Sequence, residues 1–409
     1  MKKILVSIAA AFALTVFAFK PAFADEPKPL EPGVLGLEST VGQADKAVEK
    51  AKSILENAWG VGISGFFDTS YTYSSNHPGK AFNHNISGRY FDRDHNKVVF
   101  NDFNLTIEKP EKDWGVGFKL VGDFGRSGEL LREATLWGPR LHQEPSAELR
   151  EAFLTFTLPL GEGLQVKAGK FVTPLGTEIL PAPGAYNDNI SRSYAFNFAI
   201  PLTHLGTLFT YPFLKTFSAS AGIITGWDDP ADSNNQPSFL GGVNFTPMDS
   251  FGLASNIIVG KEWIGAIGFP NFNGGTRVVW SNVATIKPID PLTIYAEYTM
   301  GHEKNALTPA GIRSAWWYAL AGILSYNWTE RFNTAARAEY FGDPQGARLA
   351  VSNAHLGEIT WTAAYKFTAK LIGRAEIRQD WANKSGFAKG TGSTDKAQTT
   401  FALQAIYGF

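Results

Sequence analysis

KAQTTFALQAIYGF, residues Lys396–Phe409, is the stretch on which the fold turns. Phe401, Leu403, Ala405, Tyr407 and Phe409 share one parity, and Gln398, Thr400 and Gln404 share the other. Alternation with a period of two puts these sets on opposite faces of a strand. The run stops on an aromatic residue with no polar tail, which at the edge of a soluble sheet invites pairing with another chain. A closed barrel has no edge, and there the same run is the closing strand.

The pattern recurs upstream. Over Ile63–Tyr73 the outward set is Ile63, Phe67, Tyr71 and Tyr73, against Ser64, Asp68, Ser70 and Thr72 inside. Lys97–Glu108 places Val99, Phe103, Leu105 and Ile107 outward and Asp102, Asn104, Thr106 and Glu108 inward. Trp114–Phe124 sets Trp114, Val116, Phe118, Leu120 and Phe124 against Lys119 and Asp123. In Lys370–Trp381, Leu371, Ala375, Ile377 and Trp381 oppose Arg374, Glu376, Arg378 and Asp380. Charge confined to one parity means a wet face and an oily face.

A soluble sandwich also alternates, so two further features decide. Short connections (109–113, 160–163, 248–250, 329–330) alternate with long ones (75–96, 125–146, 383–395), as in barrels with short periplasmic turns and longer external loops. Aromatics mark both strand ends: Trp114, Tyr211, Trp328, Phe367 and Tyr407 beside short turns, and Phe124, Trp227, Trp263 and Trp381 beside long loops. The expected fold is all-β, a transmembrane antiparallel β-barrel of about sixteen strands enclosing an aqueous lumen, preceded by a short amphipathic helix. Strands are expected near 60–74, 97–108, 114–124, 147–159, 164–171, 204–212, 216–226, 237–246, 251–261, 275–287, 292–301, 314–327, 331–341, 355–367, 370–382 and 396–409.

Composition agrees. The 409 residues suit one large barrel, and 37 basic against 38 acidic side chains argue against a nucleic-acid surface. With no cysteine, disulfides, thiolate metal sites, cysteine nucleophiles and attached c-type haem are excluded. At the amino terminus, Lys2 and Lys3 precede the apolar run Ile4–Phe19 and the small-x-small site Ala22-Phe23-Ala24, which is a secretory signal peptide over residues 1–24. Its removal leaves 34 basic and 38 acidic groups, a net charge of −4. No later apolar run is long enough for a spanning helix, so an exported chain full of apolar faces inserts as a barrel.

Residues 25–59 form a periplasmic preface. Asp25–Gly36 is a proline-rich acidic linker. Leu37, Val41, Ala44, Val48, Ala51, Leu55 and Ala58 then mark a heptad seam of about three heptads. The alanine-rich seam fits a coiled coil between subunits, a helix folded against its own barrel, or a loose amphipathic helix. The barrel domain is expected over 60–409.

The third long connection, Val172–Thr203, carries four prolines and two glycines, which argue for a fixed irregular path. Irregular backbone at membrane depth is tolerated where it lines a water-filled cavity or is buried in protein. Folded inward, this loop narrows the pore and sets Glu178, Asp188 and Arg192 before permeating solutes; the alternative is a surface loop packed over the rim. ISGFFDTSYTYSSN at 63–76 and VKAGKFVTPLGTEILPAPGAYNDNISRSYAFNFAIPLTHLGTLFTYP at 166–212 resemble the OmpL-like beta-barrel porin family, a likeness extending from about Gly60 to Phe409. The C-terminal Phe preceded by alternate apolar residues is likewise similar to the closing strand of bacterial outer-membrane proteins. The resemblance implies an outer-membrane porin and supplies no residue roles.

Expected pore-wall charges are Lys119, Asp123, Lys167, Arg337, Glu339, Glu358, Lys366, Arg374, Glu376, Arg378 and Asp380, with Asp68, Asp102, Glu151 and Glu297 on the same faces. Rings of charge set ion selectivity, whereas these mixed signs argue against a strong preference and equally fit cross-strand pairs that solvate the wall. Asp92, Asp94 and Asn96 mimic the start of a calcium loop, but Lys97 and Phe103 replace the glycine and glutamate that an EF-hand needs. His77, His84 and His95 share that loop and fit solvated side chains better than a metal site. His204 has no evident nucleophile partner, and no catalytic residue, metal or cofactor is expected. The expected function is passive diffusion of small hydrophilic solutes and ions across the outer membrane, with outer-membrane lipid, solute and a compatible homo-oligomer as partners. Rival readings are a channel specific for sugar, organic acid or phosphate, and a barrel that anchors or sheathes a partner protein.

Overall fold

The computed structural model describes residues 57–111, 115–134, 147–263 and 273–409. The chain divides into two units, Met1–Ala58 and Trp59–Phe409. Residues 57–59 are helical and precede the first strand; the signal peptide, the linker and the rest of the heptad helix lie outside the described residues, as do Trp114 and the side chain of Trp263.

Sixteen antiparallel strands close into a barrel. They are β1 (Gly62–Ser74), β2 (Lys97–Lys109), β3 (Val116–Phe124), β4 (Ala147–Leu158), β5 (Leu164–Val172), β6 (Thr203–Leu214), β7 (Phe217–Ile224), β8 (Ser238–Met248), β9 (Phe251–Trp263), β10 (Asn273–Ile289), β11 (Leu292–Thr308), β12 (Gly311–Asn327), β13 (Phe332–Asp343), β14 (Ala354–Lys366), β15 (Leu371–Ala382) and β18 (Ala397–Gly408). A hairpin of β16 (Phe387–Lys389) and β17 (Ser393–Asp395) sits in the last long loop. Closure is made by β18, which pairs with β15 on one side and β1 on the other, from Phe66↔Gly408 to Ser74↔Thr400. Gly65 and Phe409 exchange N–H···O bonds of 3.2 and 3.0 Å, so the terminal residue completes the seam. The parity of 396–409 holds: Phe401, Leu403 and Tyr407 are exposed, while Gln398 and Thr400 are buried.

Three expectations need correction. Val99 shares the inward parity, because Asp68 pairs with Asp102 but Thr69 with Phe100, leaving Asn101 as a bulge that exchanges the faces beyond it. Val98 and Phe100 are the exposed residues there. The supposed loop 302–313 is a ladder running through Ala306↔Arg313 to Thr308↔Gly311. Its register shifts between Glu303 and Ala306, so the buried parity passes from Glu303 to Ala306 and Thr308 and no single period-two run marks it in the sequence. Trp227 belongs to no girdle. Its ring meets Trp317 edge-on at 6.3 Å and lies between the guanidinium groups of Arg277 and Arg348, each 4.9 Å away. The other ends do carry exposed aromatics, with Trp328, Phe367 and Tyr407 at one rim and Phe124 and Trp381 at the other.

Candidate functional site: the third loop in the lumen

The connection between β5 and β6, residues 173–202, runs through the inside of the barrel, where Leu175, Tyr194, Ala195, Phe196, Ala199 and Ile200 are buried. Inward parity on β13 and β15 supplies two carboxylates that hold it by its main chain. Glu339 accepts the N–H groups of Tyr194 (2.5 Å) and Ala195 (2.6 Å), which open a π-helical turn at Ala195–Ala199. Glu376 accepts those of Ile190 (2.6 Å) and Ser191 (3.1 Å). These N–H groups have no ladder partner, and buried donors must be paired. Charge-assisted bonds are the strong way to do it.

Arginines do the same for carbonyls. Arg337 donates to Ser191 O (2.7 Å), Arg378 to Arg192 O (2.6 Å), and Arg374 to Asn187 O. Arg337 also pairs with Glu178 of the loop (2.8 Å) and Glu358 of β14 (2.5 Å). Asp380 binds Arg378 (2.7 Å), the Tyr194 hydroxyl (2.6 Å) and Arg89 of the first long loop (2.8 Å). Alternating charges thus run from the third loop across the wall into the first loop. Each buried charge is tolerable because it faces one of opposite sign.

The expected site residues therefore divide. Arg337, Glu339, Glu358, Arg374, Glu376, Arg378 and Asp380 all point inward but hold the loop and one another, so they do not present a free charged wall to solute. Glu178 is likewise consumed by Arg337 and the Ser193 N–H (2.7 Å). Asp188 accepts from Ser325 (2.9 Å) and, with Lys366, borders a vestibule of about 640 Å³ at the short-turn end of the barrel. Lys119 lies 3.6 Å from Glu151. Lys167 sits over the Phe153 ring and borders a second vestibule of about 450 Å³. Asp123 pairs with Arg150 at 3.3 Å, and Arg192, buried over Phe196, forms no ion pair among the described residues.

Arg89, Arg150 and Tyr194 have prominent roles that parity does not reveal. Val121 pairs with Glu151 and Gly122 with Leu149, so Arg150 is a second bulge residue and points inward beside Glu151. Both bulges line the narrow gap, of about 50 Å³, between the loop and the β1–β4 wall. Above it lie Phe91 and Asp92 of the first loop and the helix Arg126–Ala134, strapped together by Arg126–Asp94 (2.9 Å) and Arg93–Glu133 (2.9 Å).

The external loops carry shifted groups as well. Burial pushes the Asp228 carboxyl up to about 7, although it accepts the N–H groups of Leu202 and Thr203 at the exit of the third loop. Burial, with Arg277 nearby, brings Arg348 down to about 10. Arg348 spends its Nε on Phe198 O at 2.7 Å, another clasp on the loop.

Residues 60–409 match the model of the family described as "Putative beta-barrel porin-2, OmpL-like". The chain belongs to this family. Among solved structures, the outer-membrane channel DcaP of Acinetobacter baumannii is similar at 14% identity and a TM-score of 0.57, covering 85% of this chain and 97% of that one. An anion-selective porin from Comamonas acidovorans gives 11%, 0.57, 85% and 99%. A trimer form of OmpT from Vibrio cholerae gives 12%, 0.56, 85% and 99%. At such identities the likeness is one of fold. Curated proteins offer no match. Family and fold together make this an outer-membrane porin, a passive channel of the bacterial outer membrane.

Proposed function

We propose that small hydrophilic solutes and ions diffuse through this porin along the gap between the third loop and the β1–β6 wall. The observation that carries this is the asymmetry of the loop's docking. Its side-chain clasps come from β9 to β15, through Asn256, Ser281, Glu297, Trp317, Ser325, Arg337, Glu339, Thr362 and the β15 charges. From β1 to β6 the described residues add only single bonds by Arg150 to Pro181 O and by His204 to Thr173. On that side the loop meets the wall mainly through apolar contacts, such as Phe66 against Tyr186 and Phe171 in the loop's buried cluster, and the solute path is placed in the space that these leave.

Arg150 and Arg192 border the narrow gap and Lys167 the second vestibule, while Asp123 pairs with Arg150 and Lys119 with Glu151 on the same wall. Signs are mixed, which favours weak ion selectivity. Glu178 and the β13–β15 charges act as positioning residues that fix the loop. A homo-oligomer belongs to the same proposal, supported by the solved trimer form of OmpT. So do removal of residues 1–24 on export and a periplasmic place for 25–59.

Planar-bilayer recording of the purified protein, with solute uptake into liposomes, tests the path. We expect small ohmic steps, a small reversal potential under a salt gradient, and uptake that falls steeply with solute size. Correctly folded barrels that give neither steps nor uptake would overturn it.

A further inference from the structure

The second vestibule, of about 450 Å³ on the lumen side of β4 to β6, is faced by two cross-strand rows of side chains. Thr155 of β4 stands opposite Lys167 of β5, which stands opposite Leu208 of β6. One step nearer the short turn, Thr157 stands opposite Gln165, and Gln165 opposite Thr210. Directly paired residues project from the same face of a sheet, and all six line this one cavity. Strands lie about 4.8 Å apart and alternate residues about 6.8 Å apart along a strand, so the rows make a patch of about 10 by 7 Å. Glu111 closes its edge beside Thr157, whose N–H and hydroxyl it accepts at 2.7 and 3.1 Å.

These groups are open to the cavity rather than sealed behind it. Gln165 is exposed, and Glu111, Thr155, Thr157, Lys167 and Thr210 are half-buried. Thr155, Gln165 and the Lys167 ammonium have no hydrogen bond or ion pair among the described residues; the lysine has only the Phe153 and Phe171 rings, at 5.0 and 5.7 Å. Within the lining the one ammonium and the one carboxylate cancel. Behind it, Lys119 lies 3.6 Å from Glu151 and has Glu108 opposite on β2. An anion drawn to Lys167 therefore meets Glu111, and a cation drawn to Glu111 meets Lys167. An uncharged solute whose groups are each both donor and acceptor matches the patch without conflict. Its hydroxyls donate to Glu111 and the Gln165 carbonyl and accept from Lys167 and the Gln165 amide. The volume falls in the range of about 300–1,000 Å³ usual for small-molecule sites, and Leu208 adds apolar surface for the C–H groups of such a solute.

We propose that this vestibule is a binding site for neutral polyhydroxylated solutes of monosaccharide size, held by Glu111, Thr155, Gln165 and Lys167. The site rests on the reading of the β1–β6 side as the solute path, and it gives that path a preference for such solutes.

Saturation-transfer NMR on the purified porin in detergent tests it, with glucose, glucuronate and glucosamine as probes at about pH 6, where the last two are charged. Saturable glucose binding is expected, with both charged analogues weaker. Gln165→Leu and Thr155→Val, which remove no hydrogen bond among the described residues, should each weaken glucose about threefold to tenfold, the scale of one hydrogen bond between neutral groups. Lys389→Gln, on the exposed hairpin, should leave it unchanged. Glucuronate binding more tightly than glucose would overturn the polyol site in favour of an anion site at Lys167. Glucosamine binding more tightly would overturn it in favour of a cation site at Glu111. No saturable glucose binding would mean a solvated wall and nothing more. The NMR signal reads binding whether or not solute crosses. Glucose that binds but stays out of liposomes therefore rejects the path and keeps the site, whereas uptake without binding rejects the site and keeps the path.

Discussion

Glu339 and Glu376 grip four consecutive-pair main-chain N–H groups of the third loop, and their removal should open the pore. Hydrogen bonds to an ionised partner contribute about 1.5–3 kcal/mol each, so two per carboxylate amount to roughly 3–6 kcal/mol of docking. Part of this is offset at Glu339, which lies directly opposite Glu358 across the β13–β14 ladder and is relieved of like-charge repulsion when replaced. Each 1.4 kcal/mol is a tenfold change in a two-state ratio, so Glu376→Ala should shift the docked-to-released balance by roughly two to four orders of magnitude. The apolar residues Tyr194, Phe196 and Ile200 still favour docking. We therefore expect noisy currents from Glu376→Ala and a severalfold higher mean conductance from the Glu339→Ala/Glu376→Ala double variant. Circular dichroism and resistance of the barrel to unfolding in cold detergent should be nearly unchanged, because the strand ladder is untouched. A folded double variant conducting at the wild-type level would refute the claim that this loop limits the current.

Three further outcomes follow from the same geometry. Arg337→Met strips Glu178 of its ion pair and Glu358 of the nearer of its two and should cost about 3–5 kcal/mol in urea unfolding, whereas Lys389→Met at an exposed pair should leave the unfolding midpoint unchanged. Gly169→Ala should lower the melting midpoint, since its φ of +134° disfavours a side chain and a Cβ there would lie 2.2 Å from Ala152 O; Gly386→Ala, with nothing within 4 Å, should not. The Asp228 carboxyl titrates near 7 in the fold and near 4 unfolded, so its stabilising contribution is complete below pH 4 and is lost as pH rises through 7. Thermal midpoints of the wild type and Asp228→Asn should therefore diverge in slope across pH 4–7, and parallel curves would refute the shift.

The barrel was legible because its strands are long, repeated and amphipathic, and burial on one face alone makes parity a strong signal. That signal survives in 396–409, in β15 and in most of β1, where charged or amide side chains face in and aromatics face out. It fails where the backbone adds a residue. Asn101 and Arg150 are bulges, and at both the chain exchanges faces without any change in composition. It also fails at 302–313, where the register shifts between Glu303 and Ala306 and the buried parity passes from Glu303 to Ala306 and Thr308.

Inward charges on β13 to β15 were legible as inward, but their partners were not. A carboxylate such as Glu376 has the same parity whether it meets water, a neighbouring arginine or a loop N–H, and only the path of 173–202 decides among these. The prolines and glycines of that loop signal a fixed course without giving its direction. The consequence for selectivity is physical. Because Arg337, Arg374, Arg378, Glu339, Glu358 and Asp380 are spent on docking, their number says little about the ions that pass. On the proposed path, selectivity rests instead with the charges that border the gap, and two of these, Arg150 of the opposite wall and Arg192 of the loop itself, are brought together by a bulge and a loop rather than by a strand.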